Sequence, residues 1–136
     1  INNKKLSSLA FRDNRALKNL NSLVHPFVKS NFKKWCINQN SKIVFKEAAI
    51  LFESKSNIDL DRIICVSANK NIRIDRIIKR DNRSKEEILK IISNQMDQKE
   101  KEKLSDYVIL NDEKNSIILQ LTDILKQLEK VFYYEK

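Results

Sequence analysis

Apolar residues along the chain recur with two periods, one helical and one close to a continuous run. Leu6, Leu9 and Ala10 have helical spacing within Lys4 to Phe11. Asp13 then stands where an N-cap belongs, ahead of a stripe made by Ala16, Leu17, Leu20, Leu23 and Val24. His25-Pro26 is expected to interrupt, with Pro26 opening a further helix that carries Phe27, Val28, Phe32 and Trp35. These Leu-rich and aromatic faces predict a helical wall whose side chains are mostly core. After a polar turn at 38–42, Ile43-Val44-Phe45 begins a first buried strand that continues towards Glu53. Ile63 to Val66 predicts a second strand and Tyr107 to Leu110 a third, ended by Asn111-Asp112. Ile117, Ile118, Leu121, Ile124, Leu125, Leu128, Val131 and Phe132 form the clearest amphipathic helix, a packing element. Strands alternating with helices predict an α/β fold with a parallel sheet.

Between the second and third runs the polar positions carry the information. Ser67-Ala68-Asn69 breaks the strand, and a helix follows in which Arg73, Arg76 and Arg80 fall at i, i+3 and i+7, within roughly a 60° arc. Ile74, Ile77 and Ile78 lie on the neighbouring face. Ser84-Lys85-Glu86-Glu87 has the form of a capping box for a second helix, and Asp97 offers another helix start. Lysine is the usual cation of the chain, yet five of its seven arginines lie between Arg62 and Arg83. Planar, bidentate donors suit phosphate oxygens better than lysine does. The stripe therefore reads either as a solvated basic face or as a polyphosphate-binding lid. Glu53, at the end of an apolar run, stands where α/β folds often place chemistry, or is a surface charge. His25 is the only histidine and, taken alone, reads as a structural residue beside a helix junction.

Composition narrows the class. With 136 residues, 41% hydrophobic and 33% charged, the chain suits one soluble globular domain with a modest core. No apolar run approaches the ~20 residues of a membrane span, and INNKKLSS lacks the apolar segment of a signal peptide. The first residue is Ile, not Met, so the chain is expected to begin inside a longer protein. A net charge of +9 and a pI near 9.6 suit an anionic partner, of which nucleic acid is one candidate beside nucleotides and phosphorylated metabolites. Cys36 and Cys65 stand apart, with neither C-x-x-C nor a nearby histidine, and read as reduced thiols of a cytosolic protein; no metal site is expected. There is no glycine, so these residues contain no G-x-x-x-x-G-K-[ST] phosphate loop and no G-x-G-x-x-G turn.

Five segments, in order, resemble the dephospho-coenzyme A kinase family. They are Leu20 to Val28 (L-x-x-x-x-H-P-x-V), Lys46 to Ser54 (E-A-A-I-L-F-E-S), Ile64 to Ala68 with Arg76 and Arg80-Asp81, Ser84 to Met96, and Ser105 to Asn111. The resemblance implies a three-layer P-loop kinase fold with a parallel sheet, incomplete here, and an added helical acceptor-binding region. It implies a single fragment in which residues 1–40 form the coenzyme-side helices and 41–136 the remaining α/β core, with a lid over about 69–104. The implied reaction moves the γ-phosphoryl of ATP-Mg²⁺ to the ribose 3′-hydroxyl of dephospho-CoA, the last step of coenzyme A synthesis. Arg76 and Asn111 would flank the adenine, Arg80 would lie near the phosphates, and His25 and Glu53 would border the acceptor. A cytoplasmic location is implied, with no membrane or nucleic-acid partner.

Departures from the family pattern are specific. Arg73 stands where glutamine is commoner, Lys55 and Glu113 stand in place of glycines, and Asn2-Asn3 replaces an Asp-Arg pair. In the family the phosphate loop and the acidic residue that activates the hydroxyl lie upstream of Ile1, and the strand entering that loop runs between those equivalent to 43–46 and 63–66. Residues 1–136 alone are therefore expected to be poorly stable and inactive. Two other readings of the sequence are a basic helical nucleic-acid-binding module and a different P-loop nucleoside or nucleotide kinase.

Overall fold

The computed structural model of the chain describes residues 14–134. They divide into two compact units at Ala49/Ile50. The predicted helix over 4–11 and the Asp13 cap lie outside the described residues.

The first unit is built on α1 (Asn14–Ile37), a single helix of 24 residues with Pro26 inside it. The expected interruption at His25-Pro26 does not occur. Proline deprives one carbonyl of its donor, here that of Ser22, but the turns on either side keep theirs. The helix ends on side chains: Asn38 Nδ2 donates to the Lys34 carbonyl (3.1 Å) and Gln39 Nε2 to that of Trp35 (2.9 Å). Phe32 stacks on Trp35 at 5.8 Å, and Lys46 Nζ lies 5.0 Å from the Phe32 ring centroid. The expectation of a wall of core side chains is not met: Leu23, Phe27 and Ile37 are 75%, 70% and 83% exposed. Among the described residues, one helix and the segment after it supply no second layer to cover them. Ile43-Val44-Phe45 is not a strand, a second correction. An extended segment becomes a strand only where a neighbour takes its backbone bonds, and none does so among the described residues.

The second unit begins with turns, in which the Ser54, Lys55 and Ser56 N–H groups donate to the Ile50, Phe52 and Leu51 carbonyls. Its sheet has two described strands, β1 (Ile64–Ser67) and β2 (Tyr107–Leu110), parallel and paired Ile64 with Tyr107 through Ser67 with Leu110. Between them the chain forms α2 (Lys70–Asp81), α3 (Lys85–Ser93) and α4 (Gln98–Lys103); α5 (Ile117–Tyr134) follows β2. Paired residues of a parallel ladder share a face, so Cys65 and Ser67 belong to one face and Ile109 to the other. All three are buried. The α4 helix covers β1, through Gln98 Nε2 donating to Cys65 Sγ (3.3 Å) and the Ser67 hydroxyl donating to Glu102 (2.5 Å). The α5 helix packs against β2, where Gln120 exchanges two hydrogen bonds with the Leu110 backbone, and Ile124 and Leu128 are its buried residues. Helices on both faces of a parallel sheet make three layers.

The helix starts expected at Ser84 and Asp97 hold, and α2 has a cap at Asn69, which the sequence alone marks only as a strand break. Asn69 caps α2 by accepting from the Asn71 N–H, Asn82 ends it at φ 51°, and Ile74 is its buried contact. Ser84 and Glu87 form the reciprocal capping box of α3, whose Ile88 is 1% exposed. Ser84→Ala removes one of those bonds and is expected to lower stability by about 1 kcal/mol in urea unfolding, with Ser84→Asp recovering most of it.

Candidate functional site

Because β1 and β2 are parallel, both end on the same side, and α2 leaves β1 from that side. Arg76, nearly two turns into α2, thus reaches the chain just beyond β2. Its Nη1 donates to the Asn111 carbonyl (3.1 Å) and its Nη2 to Glu113 Oε1 (3.1 Å). The Arg76 side chain is 35% exposed and that of Glu113 71%, so the junction opens to solvent. Asp112 shapes the loop below it, accepting from the Lys114 and Asn115 N–H groups at 3.1 and 3.0 Å and from Asn115 Nδ2. Those bonds, led by that from the Asn115 backbone, hold the Asp112 carboxyl below its ordinary value. Glu113 adopts φ 67° and Lys55 φ 55°. These are the two positions that, on the sequence pattern, stand in place of glycines. The left-handed backbone that glycine would adopt freely is kept here by residues with a Cβ, at about 1 kcal/mol each.

The arginine stripe parts into three. Arg80 turns to its neighbour, with Nε and Nη2 donating to the two Asp81 oxygens at 2.7 and 2.9 Å. That hydrogen-bonded pair holds the Asp81 carboxyl down and raises Arg80. The Arg80 side chain is 75% exposed, so the pair is a surface one that a stronger anion can displace. Arg73 points elsewhere, Nη1 donating to Gln98 Oε1 at 3.2 Å, while its Nε is buried with no hydrogen-bond partner. Of the sequence-predicted residues, then, Arg76 and Asn111 meet, whereas Arg80 shares no partner with them.

Glu53 is tied to the segment between α3 and α4. It accepts from the Met96 N–H (2.8 Å) and from Lys101 Nζ (3.0 Å), with side chains 23% and 14% exposed. Burial raises its carboxyl, but bonds from its own backbone, Met96 and Lys101 outweigh that and hold it below the ordinary value. Sequence reasoning missed Lys101 as this partner, although it had marked both Glu53 and the segment ending at Met96. Gln98, which joins Arg73 to Cys65, carried no signal of its own. His25 lies half-buried in α1, in the first unit. Burial pushes the Cys65 thiol up, against the Gln98 hydrogen bond.

Among the described residues no three His, Cys, Asp or Glu side chains gather to hold a metal ion. Nor is any described helix long and apolar enough to cross a membrane.

A parallel sheet with helices on both faces, and a helical segment inserted between strands that brings arginine to the strand exits, is the α/β fold of P-loop kinases, present here in part. A solved structure of similar fold, that of TT1252 from Thermus thermophilus, superposes with a TM-score of 0.83 at 29% identity, covering 93% of this chain and 67% of that one. The dephospho-CoA kinase family model matches residues 1–116, and the chain belongs to that family. The dephospho-CoA kinase of Bacteroides fragilis is 31% identical over 135 residues, covering 98% of this chain and 66% of its own length. That of Chlorobaculum tepidum is 36% identical, covering 97% and 62%. The chain thus spans slightly less than two thirds of the length of these relatives.

Proposed function

We propose that this chain serves the ATP-dependent phosphorylation of the ribose 3′-hydroxyl of dephospho-CoA, with ATP as phosphoryl donor. The observation that carries the reading is the Arg76 junction: a half-exposed guanidinium fixed at the strand exits against Asn111 and Glu113. A planar cation held there stacks on an adenine ring, while the Asn111 segment lines the ring's edge. Arg80 exchanges Asp81 for phosphate oxygens, whose charge spreads as the phosphoryl group moves; such transfer depends mainly on positioning and charge stabilisation. Glu53 holds the segment at Met96 in place and is assigned to the acceptor side. Mg²⁺ supplies charge neutralisation on the ATP phosphates when bound. A cytoplasmic location accords with this chemistry.

These residues contain no glycine, so a glycine-rich phosphate loop must come from outside them. Residues 1–136 alone are expected to form no coenzyme A from ATP and dephospho-CoA. The full-length gene product is expected to form it, with nucleosides failing as acceptors. Transfer to a nucleoside but not to dephospho-CoA would overturn the reading.

A further inference from the structure

The peptide by which the chain leaves β2 is held from both sides. Its N–H, that of Asn111, donates inward to the Ser67 carbonyl of β1 at 2.7 Å. Its carbonyl, that of Leu110, points the opposite way across the trans peptide. No described strand lies beside β2 on that side. Gln120 of α5 stands there instead. Its Nε2 donates to the Leu110 carbonyl at 3.0 Å, and its Oε1 accepts from the Leu110 N–H at 2.8 Å. A side-chain amide thus makes the pair of bonds that a neighbouring strand's backbone would make. Nε2 also donates to the Ser116 carbonyl at 3.3 Å, one turn back on α5. Both hydrogens and the oxygen of the amide are therefore engaged, and it is not free to turn away.

Closing a strand edge is one use of such a residue, but the next carbonyl gives it another. The Asn111 carbonyl accepts from Arg76 Nη1 at 3.1 Å. Only the two backbone dihedrals of Asn111 separate that carbonyl from the peptide Gln120 holds, so the plane of one limits where the other points. The second partner of Arg76, Glu113, is 71% exposed and cannot fix the guanidinium alone. We infer that Gln120 is a positioning residue for the nucleotide side of the site: its amide fixes the Leu110–Asn111 peptide and, through it, the carbonyl that aims Arg76. This role rests on the kinase reading, in which Arg76 meets ATP.

Steady-state kinetics of the full-length gene product separate it from edge closure. Gln120→Ala is expected to raise the KM for ATP about fivefold, with kcat and the KM for dephospho-CoA changed less than about twofold. Gln120→Glu keeps the size and the acceptor for the Leu110 N–H but offers no hydrogen to the Leu110 carbonyl. It should raise the KM for ATP as much while lowering the urea midpoint less, and it carries the test if Gln120→Ala does not fold. Thr122→Ala, on the same helix with its hydroxyl on the Ile118 carbonyl, should leave both KM values unchanged. In an Arg76→Ala background Gln120→Ala should add less than about twofold, because the carbonyl it aims has lost its partner. An unshifted KM for ATP in the Gln120 variants, or equal shifts for both substrates, would overturn this role while leaving the kinase reading in place. Failure of the unaltered protein to form coenzyme A would overturn both.

Discussion

Arg76→Ala in the full-length gene product is expected to raise the KM for ATP about 30-fold, with a smaller change in the KM for dephospho-CoA. The loss corresponds to about 2 kcal/mol, the scale of one well-placed guanidinium on an aromatic ring with its charge-assisted hydrogen bonds. Arg76→Lys should recover little, since a point charge replaces the planar fork but neither spans Asn111 and Glu113 nor stacks as a guanidinium does. The effect on folding is expected to be small, because Glu113, the residue left behind, is 71% exposed. Steady-state kinetics with each substrate varied in turn, beside a urea melt, separate the two contributions. An unchanged KM for ATP would remove Arg76 from the site.

Glu53→Ala is expected to act the opposite way, on stability first. It leaves the Met96 N–H without its acceptor and Lys101, only 14% exposed, without its counter-charge. Together these cost about 2–3 kcal/mol, below the value for a fully buried pair because Glu53 is partly open to solvent. Glu53→Gln keeps an acceptor for Met96 and should lose roughly half as much. The pH dependence follows from the lowered carboxyl. A group depressed in the folded state stabilises fully above its unfolded value, and that contribution fades as pH falls through the folded value. Urea midpoints of the unaltered protein should therefore decline as pH drops below the ordinary carboxylate value of 4.5, and Glu53→Gln should lack that part of the decline.

The second unit was legible because its signals are local. Ser84 with Glu87, and Asp97, are caps whose partners lie two or three residues away. The apolar runs at Ile64 and Tyr107 pair with each other, so each finds in the other the neighbour that a strand needs. Ile43-Val44-Phe45 has the same composition and no described partner; composition cannot show whether a ladder is completed. Pro26 misled for a related reason, since a proline costs a helix one bond and a turn's geometry, which a helix of 24 residues absorbs. In the site, the arginine spacing predicted one shared face, yet the three side chains part towards Gln98, Asn111 and Asp81. Those partners come from α4, the β2 exit and the next residue, and helical phase says nothing of the first two. The Glu53–Lys101 pair was hidden likewise, its members being far apart in sequence and each ordinary alone.

On the proposed function, Arg76 and the Asn111–Asn115 loop form the ATP side of a dephospho-CoA kinase. Backbone amide exchange of the full-length gene product, read by mass spectrometry over residues 107–116 with ATP or with dephospho-CoA, tests it most directly. ATP is expected to slow exchange at Asn111–Asn115, dephospho-CoA alone is not, and Arg76→Ala is expected to abolish the ATP effect. Exchange that ATP leaves unchanged there, or that slows equally in Arg76→Ala, would contradict the account.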